Sequence, residues 1–210
     1  MRLAPLSKTG WALALCLLVA ACFETAPLTQ AAGRSVLPTP GPAQIAVLDG
    51  SVTVTGPMGY CVDTEATTES DIEAFVLLVR CRVTMRPAPM LSATVSGVPA
   101  TLGSSPEVMR RLTTFLTSTA GRAQLSRTGD PSDVRVEQAS YDDTTIWLLI
   151  TDRGNPESFA PTYWRAILQV HGRIVTLSVL SAREHPLETS SGLAILQGFV
   201  RRMRAANPES

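Results

Sequence analysis

Downstream of residue 40 the residues equipped for chemistry are few: Cys61 and Cys81, His171 and His185, and the acidic pairs Asp130/Asp133 and Asp142-Asp143. A catalytic zinc needs three protein ligands with at least two close together, and the two histidines stand far apart, one in a predicted turn and one before Pro186. A serine hydrolase of the α/β type needs Gly-x-Ser-x-Gly. That pattern is absent, and Ser96-Gly97 and Ser191-Gly192 read as strand-end and helix-cap residues. Asp130-Pro131-Ser132-Asp133 and Asp142-Asp143 both precede predicted strands, where Asp bonds its own backbone and makes turns. No Gly-rich loop that could cradle a phosphate is present. Tyr163 and Trp164 are adjacent on a predicted strand and therefore face opposite ways, so one is expected in the core and the other at the surface, where it could stack on a ligand. No catalytic, cofactor or metal residues emerge from this reading.

The compartment is written more clearly. Arg2 and Lys8 precede Trp11 to Ala21, an unbroken apolar run. A membrane-spanning helix needs roughly 20 apolar residues, so the run is too short to span and fits a signal h-region. It ends in Val19-Ala20-Ala21-Cys22, which resembles the lipobox of bacterial lipoproteins, with Val19 where Leu is commoner. The resemblance implies a lipid on Cys22 and a protein held at a membrane in the periplasm. Ordinary cleavage after Thr29-Gln30-Ala31 is the alternative and would leave a soluble periplasmic protein. Expected segments are a signal peptide over 1–21, a Pro-rich tether over 22–42 and one domain over 43–206. A flexible tether of that length reaches roughly 25 Å.

Export changes the reading of the cysteines. In an oxidising compartment an even pair is usually bridged, and both Cys61 and Cys81 lie in strand-like segments, so a structural disulfide between them is expected. Arg2 and Lys8 leave with the signal, which takes the net charge from 0 to −2. A near-neutral chain of this kind lacks the basic face that phosphate neutralisation demands, which argues against nucleic acid.

The elements that must position these residues follow from periodicity. Ile45 to Leu48 and Ser51 to Thr55 flank Asp49-Gly50, a hairpin signature. Strands are expected around Cys61, over Ala74 to Cys81 with both faces buried, and over Leu91 to Val98. Ser104-Ser105-Pro106-Glu107 predicts a helix start, with Ser104 and Glu107 as a capping box. Val108, Leu112, Phe115, Leu116 and Thr119 form its apolar face, and Gly121 its stop. Further strands cover Val134 to Ser140, Thr145 to Thr151, Tyr163 to Val170 and, after a His171-Gly172 turn, Ile174 to Ser181. A last helix from Ser190 to about Arg204 places Leu193, Leu196, Val200 and Met203 on one face. The predicted class is α+β, an antiparallel sheet with helices packed on one face.

The closing order of strand, His171-Gly172 turn, strand and helix resembles the last half of the Mog1/PsbP-like fold, a group that includes exported and lipid-anchored bacterial binding and assembly factors. Gly59 to Asp63, Ala74 to Cys81 and Leu91 to Val95 are similar to segments of uncharacterised exported proteins of alphaproteobacteria. With no catalytic or ligand constellation in the chain, the expectation is a non-enzymatic envelope module that binds another envelope protein or assists its assembly, with the membrane as a partner through the lipid on Cys22 and no cofactor. An envelope enzyme acting on cell wall or lipid is the alternative expectation.

Overall fold

The computed structural model describes residues 41–82, 87–100, 103 and 105–209. The signal segment, Cys22 and the tether up to residue 40 lie outside them. Strands β1 (Gln44–Val47) and β2 (Val52–Thr55) pair as a separate hairpin. Strands β3 (Tyr60–Glu69), β4 (Glu73–Arg80), β5 (Met90–Pro99), β6 (Val134–Tyr141), β7 (Thr145–Asp152), β8 (Thr162–Val170) and β9 (Arg173–Leu180) form one sheet. Its order is β3-β4-β5-β9-β8-β7-β6, and every pairing is antiparallel. The helices are α1 (Pro106–Thr117), α2 (Thr119–Leu125) and α3 (Thr189–Ala206).

The α+β class holds, but the helices do not share a face. Leu196, Phe199, Val200 and Met203 of α3 pack with the hairpin's Val47, Val52 and Val54 against Leu149, Trp164, Leu168 and Leu177. Met109, Leu116 and Leu125 of α1 and α2 pack instead against Ile146, Leu148, Ile150 and Tyr163. Side chains alternate across a strand, so these two sets lie on opposite faces. The reason is visible in β7, where Ile146 to Ile150 is apolar at every position and needs cover on both sides. The same double cover buries both Tyr163 and Trp164, at 4% and 5% exposed, where one surface residue was expected. Trp164 donates from its indole nitrogen to the Thr189 carbonyl at the start of α3, 2.8 Å away.

Four local expectations shift. β4 buries Ala74, Val76 and Leu78 completely, whereas Phe75, Leu77 and Val79 on its other face are half-buried. Ser105 caps α1, accepting from the Val108 N–H, in place of Ser104. The buried residues of α1 are Met109, Thr113 and Leu116; of the predicted stripe Leu116 is buried and Leu112 packs against the same cluster, whereas Phe115 is left 45% exposed. Gly121 does not stop α1 but sits within α2, where a Cβ would lie 2.0 Å from the Phe115 carbonyl oxygen. Ser118 makes that tight junction by ending α1 with its N–H and capping α2 with its hydroxyl.

Cys61 and Cys81 are joined in a disulfide, with Cα atoms 4.9 Å apart. β3 and β4 form a hairpin in which Cys61 faces Val79, so the bridge closes its open end diagonally. No described helix is long and apolar enough to cross a membrane.

Candidate functional site

At the far end of β3 from the disulfide, four connections converge. The β1–β2 turn holds Leu48, Asp49 and Gly50 at φ of 54°, 55° and 79°. A leucine in the left-handed region costs on the order of 1–2 kcal/mol, and here two contacts hold it. Its side chain is 8% exposed in the core, and its N–H is bound by Oε1 of Glu69 at 2.8 Å. The β3–β4 turn lies beside the end of β5, with the Gly97 N–H donating to the Ile72 carbonyl at 2.8 Å. A side chain at position 97 would collide there, since a Cβ would stand 2.3 Å from the Asp71 carbonyl oxygen.

Arg173, the first residue of β9, fastens these pieces. Its guanidinium donates to the Ser96 carbonyl at 3.2 Å and to the Gly97 carbonyl, and reaches the Ser51 hydroxyl at 3.4 Å. His171, in the preceding turn at φ 47°, adds a second clasp. Its ring nitrogens face the carbonyls of Ser51 and Pro208, each at 3.0 Å. Those two bonds favour the imidazolium and raise its pKa above the usual histidine value.

The result is an open cavity of about 430 Å³ lined by Leu48, Asp49, Glu69, Ser70, Asp71, Gly97 and Arg173. Three carboxylates face one arginine, and that arginine is held by carbonyl and hydroxyl oxygens. Ile72 and Val98, the chain neighbours of the lining residues Asp71 and Gly97, are 72% and 59% exposed. An acidic bowl with an apolar lip suits a cationic group on an extended apolar-basic segment. It lacks a nucleophile paired with a base. Among the described residues no group of three His, Cys, Asp or Glu side chains has metal-binding geometry.

Of the residues singled out from sequence, His171, Ser96 and Gly97 lie at this end of the sheet and the others fall elsewhere. Asp142 accepts from the Thr144 N–H at 3.0 Å and from the Trp147 indole at 3.0 Å. Asp130 accepts from the Ser132 N–H at 2.8 Å, which lowers its pKa. Both are turn residues, as expected. His185 lies in the β9–α3 connection, at the other end of the sheet from His171. A second cavity, of about 120 Å³, opens beside Trp164 and the start of α3. The bowl residues went unnoticed because no motif joins positions 49, 69, 71 and 173. The one local signal was Asp49-Gly50, which marks a turn and nothing about its neighbours.

No family model matches the chain, and no curated protein matches it. The solution structure of cyanobacterial PsbP (CyanoP) from Synechocystis sp. PCC 6803 is similar over 86% of this chain and 97% of that one. The identity is 15% and the TM-score 0.39. At that level the functional reading rests on this chain's own residues.

Proposed function

We propose that the chain is a periplasmic envelope module, anchored through a lipid on Cys22, whose bowl holds a cationic, partly apolar segment of another envelope component. The observation that carries this reading is the meeting of Asp49, Glu69 and Asp71 around one open cavity, with exposed Ile72 and Val98 next in the chain to its lining residues Asp71 and Gly97. Exposed apolar residues supply contact area, and carboxylates that enter no ion pair among the described residues steer a basic partner and fix its register. The enzyme alternative has less support. Among the described residues the buried carboxylate oxygen without a partner belongs to Asp152, which is 0% exposed at the end of β7 and is closed to substrate in this structure.

Two arms test the proposal. A photocrosslinking residue at position 72 or 98 should give a discrete adduct in cells, whereas one at Thr114, exposed on α1, should not. Asp71→Asn with Glu69→Gln should weaken that adduct, as should added salt. Absence of adducts from 72 and 98, or equal adducts from 114, refutes the bowl. Labelled palmitate should enter the wild type and not Cys22→Ser, and equal labelling of both refutes the anchor.

A further inference from the structure

The end of the domain opposite the bowl carries different chemistry. In the β2–β3 turn Met58 is 93% exposed, more than any other large hydrophobic side chain among the described residues. Single exposed apolar residues are ordinary, so its surroundings decide what it means. On one side, a Cβ at Gly59 would lie 2.9 Å from Nη1 of Arg80. That guanidinium stacks over the Tyr60 ring, 4.6 Å from its centroid. On the other side, a Cβ at Gly198 of α3 would lie 3.8 Å from Nη2 of Arg201 and 3.9 Å from Cγ of Pro57. Arg80 and Arg201 therefore flank the turn that presents Met58, and Arg82 and Arg202 are exposed beside them in the chain. The ion pairs among the described residues involve none of these four arginines. Asp63, the nearest acid along β3, already accepts from the Glu65 and Ala66 N–H groups, each at 3.1 Å.

The chain enters the domain at this same end. The Val62 N–H donates to the Pro42 carbonyl at 2.8 Å, and the Thr55 hydroxyl to the Ala43 carbonyl at 3.1 Å. Pro42 and Ala43 therefore lie beside the start of β3 and the end of β2. The bowl lies a ten-residue strand away, roughly 30 Å at the usual rise per residue.

We propose that Met58, Arg80 and Arg201 form a membrane-facing surface that rests on anionic phospholipid headgroups. The choice of a membrane as occupant rests on the anchored reading of Cys22, while the chemistry of the surface does not depend on it. Guanidinium groups pair with phosphate oxygens in a forked geometry, and a flexible thioether enters the interfacial layer beside them. Each arginine held at an anionic leaflet raises partitioning about fivefold. Such contacts are weak alone. A short tether raises the effective concentration to the millimolar range, enough for them to set orientation and turn the bowl away from the membrane.

The test uses the mature chain with Cys22→Ser, which carries no acyl group, sedimented with vesicles of phosphatidylcholine alone or mixed with phosphatidylglycerol. The expected result is binding to the phosphatidylglycerol vesicles that falls with salt, drops about twentyfold in Arg80→Gln/Arg201→Gln, and drops several-fold in Met58→Ser. Arg80 stacks on Tyr60, so the arginine variant could lose stability; Met58→Ser alters a side chain that touches no core and reports on the surface alone. Equal sedimentation with both vesicle types, or undiminished binding by Met58→Ser and the arginine pair, overturns the proposal. Because no lipid is attached, either outcome is independent of the palmitate experiment.

Discussion

Asn207 should be the residue on which attachment of the β1–β2 hairpin depends. It ends α3, is 7% exposed, and treats β2 as a neighbouring strand would. Its Oδ1 accepts from the Thr53 N–H at 2.8 Å, and its Nδ2 donates to the Thr53 carbonyl at 2.8 Å and to the Met203 carbonyl at 2.7 Å. Asn207→Ala removes all three bonds and leaves polar groups of a half-buried strand unpaired. At about 0.5–1.5 kcal/mol net per bond the loss is about 3 kcal/mol, or roughly 6–12 °C in Tm for a domain of this size. Asn207→Asp is the sharper comparison. It keeps the bond from Thr53 N–H but sets a carboxylate oxygen against two carbonyls. Near neutral pH it should therefore be at least as destabilised as Asn207→Ala. That carboxyl's folded pKa is raised above the usual value of about 3.9, so stability should recover as pH falls through it, when one oxygen becomes a donor. Urea unfolding followed by circular dichroism at both pH values measures this. An Asn207→Ala variant within about 0.5 kcal/mol of wild type would refute the reasoning.

Replacing Cys61 and Cys81 together by serine should cost about 3 kcal/mol on the chain-entropy account and leave vesicle and bowl binding unchanged. The wild type purified from the periplasm should resist alkylation until reduced, as mass spectrometry would record; free thiols without reductant would contradict the bridge. His171 should make stability pH-dependent: its pKa is raised by bonds to the Pro208 and Ser51 carbonyls, so its contribution is complete below the unfolded value of about 6.5. That contribution is lost as pH rises through the folded value. The stability difference between wild type and His171→Ala should therefore shrink from about pH 5 to about pH 8; a constant difference would remove the imidazolium from the account.

Much of this architecture was legible along the chain, because hairpins and strands are local statements. Asp49-Gly50 and His171-Gly172 announce turns through the few residues that accept positive φ, and alternation in Leu91 to Val95 announces which side chains enter the core. Cys61 and Cys81 could be paired because export makes oxidation the default, and their neighbours read as strands that could lie side by side. What periodicity does not carry is the choice of face. On α1 periodicity finds Leu112 and Leu116 but takes Phe115 for a core residue and misses Met109, because both are apolar and only packing in the cluster with Ile146 and Leu148 selects Met109. Two-sided burial of β7 placed α1 and α2 opposite α3, a decision that involves segments far apart in sequence. The bowl is the extreme case. Asp49, Glu69 and Asp71, and Arg173 stand at three separate turns that meet only after β5 pairs with β9, and the hydrogen bonds that hold these turns run mainly to backbone carbonyls and amides, which every residue possesses and no sequence pattern can display.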